Sequence, residues 1–580
     1  MKKSKMSLAV GATAAALALP LSVHGASVDD LSAQLQAMQS QMMEMQKELQ
    51  SLREKDAARA GIVVVENDYG ALQEEVMYLR EDVDDLDDRL MEPERHAALD
   101  RIEWGGDFRF QAHSIDSTIP DHINGLQMQG DFIGFLQDFN MLGDQFTFEE
   151  LSAAMEGLQA MIPNLPPEQQ EFFQQQMAAL AQQNYVKGYN FNDDVVRTSR
   201  LRLEMKAKVA EDVEFYGRLG MYKVWGDSTG VQIFNGQPTS INWDGSQTTY
   251  PNSDDAIRLE RGYFTWSQIL DTGAFLSIGR RPSTGGVPVN FRNDEPRGGT
   301  PMGSLFNYQF DGITAGYHIN DYSTLRLCYG VGFESDWGNA SQLSRPADRL
   351  DDAYFYGLVW DIWDTPSMYI HAIVARAEDI TDGFPSTTVL PYDPITGEEL
   401  PTVPIRYTPS GTIGNMDLAG FVITRRDGPL DYFVSYGYME TDPTDFYSPF
   451  GGMMSDPFTE PEDQDGDMIY VGARWNFAND KTKFGVEYNH GSKYWYNFAL
   501  GEDDFLAPKT STRGDVWEAY LTHRIRDRFI FKLAYIDYQY DYSGSGWLLG
   551  APKDLDKTPV LGYPTYDDAS MWTLGLEARF

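Results

Sequence analysis

Met571-Trp-Thr-Leu-Gly-Leu-Glu-Ala-Arg-Phe580 closes the chain, and its residues alternate strictly: Trp572, Leu574, Leu576, Ala578 and Phe580 against Thr573, Gly575, Glu577 and Arg579. Successive side chains of a strand point to opposite faces, so the segment presents one apolar and one polar face. It reads as a strand with lipid on one side and water on the other, ending in an aromatic. Such a strand is stable only if the rest of the chain supplies neighbours for both its edges.

At the other end, Lys2, Lys3 and Lys5 precede an apolar, Ala-rich run from Met6 to Val23, with small residues at Gly25 and Ala26. This reads as a secretory signal peptide over 1–26. Pro20 interrupts the run and no stop-transfer flank follows, which argues against an anchoring helix. The single cysteine, Cys328, excludes an intrachain disulfide and a lipid-bearing cysteine at the cleavage site. Mean hydropathy is −0.42 and no second long apolar run occurs, so a helical membrane protein is excluded. Aromatics at 13% are too abundant for a disordered or coiled-coil chain. A formal charge of −41 excludes nucleic acid as a partner.

Working back from the terminal strand, 101–112 repeats its pattern: Ile102, Trp104, Phe108, Phe110 and Ala112 share one parity, and Glu103, Asp107, Arg109 and Gln111 the other. Leu201, Leu203, Met205, Ala207 and Val209 alternate with Arg200, Arg202, Glu204, Lys206 and Lys208. The same reading places further strands downstream, one of them at 305–317, to a total of about sixteen. Tight Asp/Gly/Pro turns such as Arg426-Asp-Gly-Pro429, Trp363-Asp-Thr-Pro366 and Asn479-Asp480 alternate with long loops. That rhythm excludes a soluble β-helix or propeller. The expected fold is an all-β membrane protein: a roughly 16-stranded antiparallel transmembrane β-barrel over 101–580, long loops outside and short turns in the periplasm.

Ahead of the barrel, Leu31, Leu35, Met38, Met42, Met45, Leu49 and Leu52 step by fours and threes, and Leu72, Val76, Leu79, Val83, Leu86 and Leu90 resume the pattern. This predicts a periplasmic α-helical coiled coil within 27–93. Helices of about three heptads are marginal alone. Their seams therefore pack in neighbouring chains, making a homo-oligomer, or fold back within one chain. A trimer is the expected oligomer. The first outer loop, 113–195, carries two helical patterns: one opened by the capping box Thr147-Phe-Glu-Glu150 and running toward Ile162, the other from Pro166 through Phe172, Phe173, Met177 and Leu180. A pore plug, a partner-binding lobe and a solvated surface addition all fit this loop.

Candidate site residues lie in the third loop, a Gly/Pro-rich stretch in which Arg281, Arg292 and Arg297 are expected to face Asp294 and Glu295. Folded into the barrel, these charges would line a constriction and set a transverse field that selects solutes by charge. Arg109, Arg202 and Arg218, on lumen parity, would line the same polar, water-filled pore. In the sixth loop, Asp463, Asp465 and Asp467 flank Gly466 in an oxygen-rich cluster suited to calcium, although the distal glutamate of an EF-hand is missing. Acid-rich outer loops also suit a surface carrying divalent cations, lipid and lipopolysaccharide. No Cys-x-x-Cys-His, Gly-x-Ser-x-Gly or zinc-type His pair occurs, so neither covalent haem nor an enzyme is expected.

Met221-Tyr-Lys-Val-Trp-Gly-Asp-Ser228, Ser277-Ile-Gly-Arg-Arg-Pro-Ser283, Arg297-Gly-Gly-Thr-Pro301, Phe310-Asp-Gly-Ile313 and Tyr535-Ile-Asp-Tyr-Gln-Tyr-Asp-Tyr-Ser543-Gly-Ser-Gly-Trp547 resemble a porin-like outer-membrane family of unassigned function from Gram-negative bacteria. The resemblance spans the coiled coil and the barrel. It implies an outer-membrane location and supplies no substrate or catalytic residue. Relatives of this kind are associated with sheathing multihaem cytochromes, which makes a periplasmic or surface cytochrome a candidate partner. Two functions follow: passive passage of small hydrophilic solutes or ions, or a non-conducting barrel that sheaths or displays such a partner.

Overall fold

The computed structural model describes residues 102–143, 148–225, 257–333, 351–381, 412–445, 452–456, 459–499, 505–543, 549–562 and 566–580. The expected signal peptide (1–26) and coiled coil (27–93) fall outside the described residues.

Sixteen antiparallel strands close into a barrel. They are β1 (Ile102–Ile119), β2 (Tyr189–Lys208), β3 (Val213–Val224), β4 (Arg258–Trp266), β5 (Ala274–Arg280), β6 (Asp311–Asn320), β7 (Ser323–Phe333), β8 (Ala353–Thr365), β9 (Met368–Thr381), β10 (Thr412–Asp427), β11 (Leu430–Pro443), β12 (Asp465–Asn476), β13 (Thr482–Gly491), β14 (Gly514–Arg526), β15 (Phe529–Tyr540) and β16 (Asp568–Arg579). Each pairs with its neighbours in the chain, and β16 closes on β1, with Phe108 opposite Ala578 and Ile115 opposite Met571. Phe580 and Gly106 exchange backbone hydrogen bonds of 3.0 Å at that closure. No edge strand remains, which is what a β-structure in lipid requires.

The period-two pattern sorts residues as the sequence predicts. Trp104, Phe108, Leu327, Leu358, Val374, Trp475, Trp517 and Trp572 point outward and are exposed, and Phe580 is 55% exposed. An apolar girdle of this extent, running round the whole wall, is far beyond the patches that water-soluble proteins display. Lipid is its natural solvent, and the molecule is an outer-membrane β-barrel. The short connections match the expected turns; at Arg426-Asp-Gly-Pro429, Gly428 adopts φ +58°, a conformation that glycine reaches without a Cβ penalty.

β1 and β2 have 18 and 20 residues, about twice the 9–11 that span a bilayer. They rise past the membrane as a ribbon, still paired at Thr118 and Asn190. On it stand α1 (Gly125–Asp138), α2 (Phe148–Met161) and α3 (Pro167–Gln183), packed around Phe132, Ile133, Leu136, Leu142, Leu151 and Leu158. The loop sequence predicts two helices here, and its described residues form three. The additional one, α1, is capped by Asn124, whose side chain accepts from the Gln127 N–H at 3.1 Å. That cap and the Phe132, Ile133, Leu136 spacing are its sequence signal. Of the expected capping box, Thr147 lies outside the described residues. The lobe is tied down by His122–Ile123, which pairs with Tyr185–Val186 and, in parallel, with Val560–Leu561.

The expected strand at 305–317 is corrected to Asp311–Asn320. Leu305 and Phe306, 0% and 2% exposed, have left the wall and pack inside the barrel. Alternation of apolar residues over a short run does not distinguish a strand from a buried loop.

Candidate functional site

Residues 281–310, between β5 and β6, turn into the barrel as a doubled-back segment. Its two limbs are joined by backbone hydrogen bonds of 2.8 Å from Thr300 to Pro282, from Gly298 to Gly285 and from Gly303 to Val287. The approach is close enough that a Cβ on Gly286 would sit 2.1 Å from the Pro301 carbonyl oxygen. The Gly/Pro richness of the loop thus has a concrete use: it lets two backbones touch.

The tip carries Asp294 and Glu295 against the wall. Asp294 lies 2.5 Å from Lys483, 3.3 Å from Arg474 and 4.0 Å from Arg524. Glu295 lies 3.0 Å from Arg202 and 3.5 Å from Arg200, and both guanidiniums also hold Asp107 of β1 at 2.7 Å. Arg579 donates to the Asp294 carbonyl at 3.1 Å, and Lys532 to the Asn293 side chain at 2.8 Å. Burial alone would raise the Glu295 carboxyl, but the Arg202, Arg200, Arg109 and Arg579 guanidiniums hold it well below the usual carboxylate range.

These pairings differ from those expected within the loop. Arg281, Arg292 and Arg297 do not face Asp294 and Glu295. Arg281 reaches Ser277 and Thr314 of the wall and lies over the Tyr263 ring, 4.8 Å from its centroid. Arg292 sits 3.5 Å from Glu518. Arg297 pairs with Asp364 at 2.7 Å and stacks on Tyr369. The tip carboxylates take their cations from β2, β12, β13 and β14 instead. Every loop arginine is thus committed to the wall at its own azimuth, and the attraction runs between loop and wall. Arg109 and Arg202 point inward near the tip as expected; Arg218, also inward, is held apart from it between Glu204 at 3.1 Å and Glu260 at 3.3 Å.

A uniformly polar, water-filled lumen is also corrected. Met302, Leu305 and Phe306 of the inward segment pack with Val359, Ile373, Met416, Val422, Phe433, Met468 and Trp495 in one buried apolar cluster. A second cluster joins Leu506 and Ala507 to Ile115, Val516, Ile536 and Met571. Inward parity predicts that a side chain leaves the lipid, and it says nothing about what fills the interior.

Three interior residues escape a reading by motif. Lys509, in the loop before β14, is 2% exposed and contacts Glu487 and Glu518 of the wall. Asp361 receives Arg326 and the Tyr369 hydroxyl, each at 2.7 Å, with His371 Nδ1 at 2.8 Å. Asp361 and His371 share the inward parity of their strands, which was the available signal; Lys509, on a loop, offered none. Of the expected calcium cluster, Asp465 and Asp467 lie exposed on β12 and Asp463 precedes it. Among the described residues no group of three His, Cys, Asp or Glu converges on a metal-sized site.

A family model described as "Protein of unknown function (DUF3373)" matches residues 190–580. The chain belongs to this family. The match covers β2 to β16, and so includes both the wall cations and the tip of the inward segment. No curated protein matches this DUF3373 chain. Among solved structures, in-vitro-folded OmpT, an outer-membrane protein of Vibrio cholerae, is 13% identical over 83% of this chain and 97% of that one, with a TM-score of 0.37. OprB of Pseudomonas putida is 10% identical over 84% and 96%, with a TM-score of 0.38. OmpF of Salmonella typhi, in complex with daunomycin, is 8% identical over 83% and 97%, with a TM-score of 0.38.

Proposed function

We propose that this chain is a porin-like outer-membrane channel for passive passage of small hydrophilic solutes or ions, held narrow by its inward segment, and that it is not an enzyme. One observation carries the reading: Asp294 and Glu295 at the tip of the inward segment pair directly with wall cations Arg200, Arg202, Arg474 and Lys483, which pins the segment inside the barrel. Such paired charges, lining the constriction that the segment leaves beside it, would impose a field on whatever passes. Purified full-length protein in a planar bilayer should give stepwise conductance. Deletion of residues 127–183 should leave those steps in place, because the lobe stands on a ribbon beyond the membrane.

The apolar packing around Phe306 and Trp495 favours a second reading, a non-conducting scaffold that sheaths or displays a partner such as a multihaem cytochrome. Absence of steps in the wild type, in the 127–183 deletion and in Glu295→Gln alike decides for the scaffold. Association into trimers and contact with lipopolysaccharide belong to the same proposal; cross-linking of the protein in outer-membrane vesicles tests the oligomer.

A further inference from the structure

The end of the barrel that carries the short turns holds an arc of inward cations. Arg426 lies near the end of β10, Arg474 and Lys483 flank the turn from β12 to β13, Arg524 lies near the end of β14, and Arg579 ends β16. Arg426 and Arg474 share Asp431, at 3.0 and 2.7 Å. Arg474, Lys483 and Arg524 share Asp294 of the inward segment. Arg579 takes Glu577 at 2.5 Å and reaches the Asn293 and Asp294 carbonyls. In this arc, five cations meet three carboxylates.

The two signs also lie at different depths. The side chains of Arg426, Arg524 and Arg579 are 60%, 40% and 29% exposed, whereas those of Asp431, Asp294 and Glu577 are 3%, 16% and 10% exposed. A solute in the surrounding water meets guanidinium first and carboxylate behind it. Guanidinium donors that still face water are free to form charge-assisted hydrogen bonds with an oxyanion. Further round the wall Glu204 is an exposed inward carboxylate, but Lys206 stands two residues on along β2 and is 43% exposed. The turn aspartates Asp427, Asp480 and Asp527 lie beyond the arc, beside Arg425, Lys481 and Arg528.

The charge of the whole chain, −41, points the other way and by itself would favour cations. Screening decides between the two: at physiological ionic strength the Debye length is about 8 Å, so a passing ion responds to the nearby arc and little to distant loops. We propose that this arc makes the passage selective for small anions, including carboxylates and inorganic anions, over cations of like size. The proposal rests on the channel reading above and adds the class of solute to it.

The test is the zero-current potential of full-length protein in a planar bilayer under a potassium chloride gradient, since the two ions have nearly equal mobility in water. Its sign should be that of chloride, with a chloride-to-potassium permeability ratio above about 2. In the double variant Arg426→Gln, Arg524→Gln the ratio should fall by about half or more while the steps persist, and in Lys557→Gln, on an exposed outer loop, it should not change. Raising the salt from about 0.1 to about 1 M shortens the Debye length from about 10 to about 3 Å and should weaken the preference. If the double variant does not insert, the single variants and the salt series decide. Steps with a cation preference, or with none, overturn the anion proposal and leave the channel standing, and a preference unchanged in the variants overturns its assignment to the arc. Absence of steps in the wild type overturns the channel reading and this proposal with it.

Discussion

At the scale of the residue, Glu295 shows how a polar interior is organised by demand from both sides. Arg200, 1% exposed, and Arg202 sit between Asp107 and Glu295, and each guanidinium needs its carboxylates because it has lost water. Glu295→Gln should cost about 1–3 kcal/mol, less than a fully orphaned ion, since Asp107 still holds both arginines. Urea unfolding of the barrel in lipid vesicles measures this. The pH dependence has a definite sign. A carboxyl whose folded value is depressed stabilises the fold above its unfolded value of 4.5, and this contribution is lost as pH falls through the folded value. Unfolding free energy should therefore be insensitive to Glu295 above about pH 5 and should converge between wild type and Glu295→Gln only in stronger acid.

At the scale of the element, residues 281–310 have no regular ladder of their own and depend on what they touch. One end of the segment is held by charge and the other by apolar contact, with Phe306 stacked on Phe498 and edge-on to Phe355. Phe306→Ala should remove about 3–5 kcal/mol, through lost burial and the space left behind. Hydrogen exchange should then accelerate across 281–310 and leave the ladder between β10 and β11 protected; uniform acceleration through the wall would show that the segment and the barrel unfold as one unit. Sequence reasoning reached this loop and its charged residues by composition. It extended the following strand back to Leu305 because Leu305, Phe306 and Phe310 look like wall residues. Burial inside a barrel and burial against lipid select the same side chains, so no local pattern separates them.

At the scale of the whole molecule, the barrel is stabilised by closure and by its solvent. Leu574, outward in the middle of β16 and 43% exposed, meets lipid. Leu574→Arg should cost about 2–4 kcal/mol in vesicles, the penalty for a cation near the bilayer midplane. In detergent micelles, where the side chain reaches water more easily, the cost should be smaller. A loss equal in both media would place Leu574 against protein rather than lipid.

The sequence by itself determined the architecture: the period-two alternation from Trp104 to Phe580, the tight Asp/Gly/Pro turns and the aromatic end of β16 each act over a few residues, and short-range pattern is what a single chain displays openly. The tertiary structure alone decided the interior. Asp294 meets Arg474 across 180 positions and Arg579 across 285, and Leu305 and Phe306 of the β5–β6 loop pack with Trp495 of the β13–β14 loop. Which charges neutralise each other, and whether the lumen holds water or packed side chains, follows from where an irregular loop comes to rest against a closed wall. That is set by the summed fit of distant surfaces, and no local period encodes it.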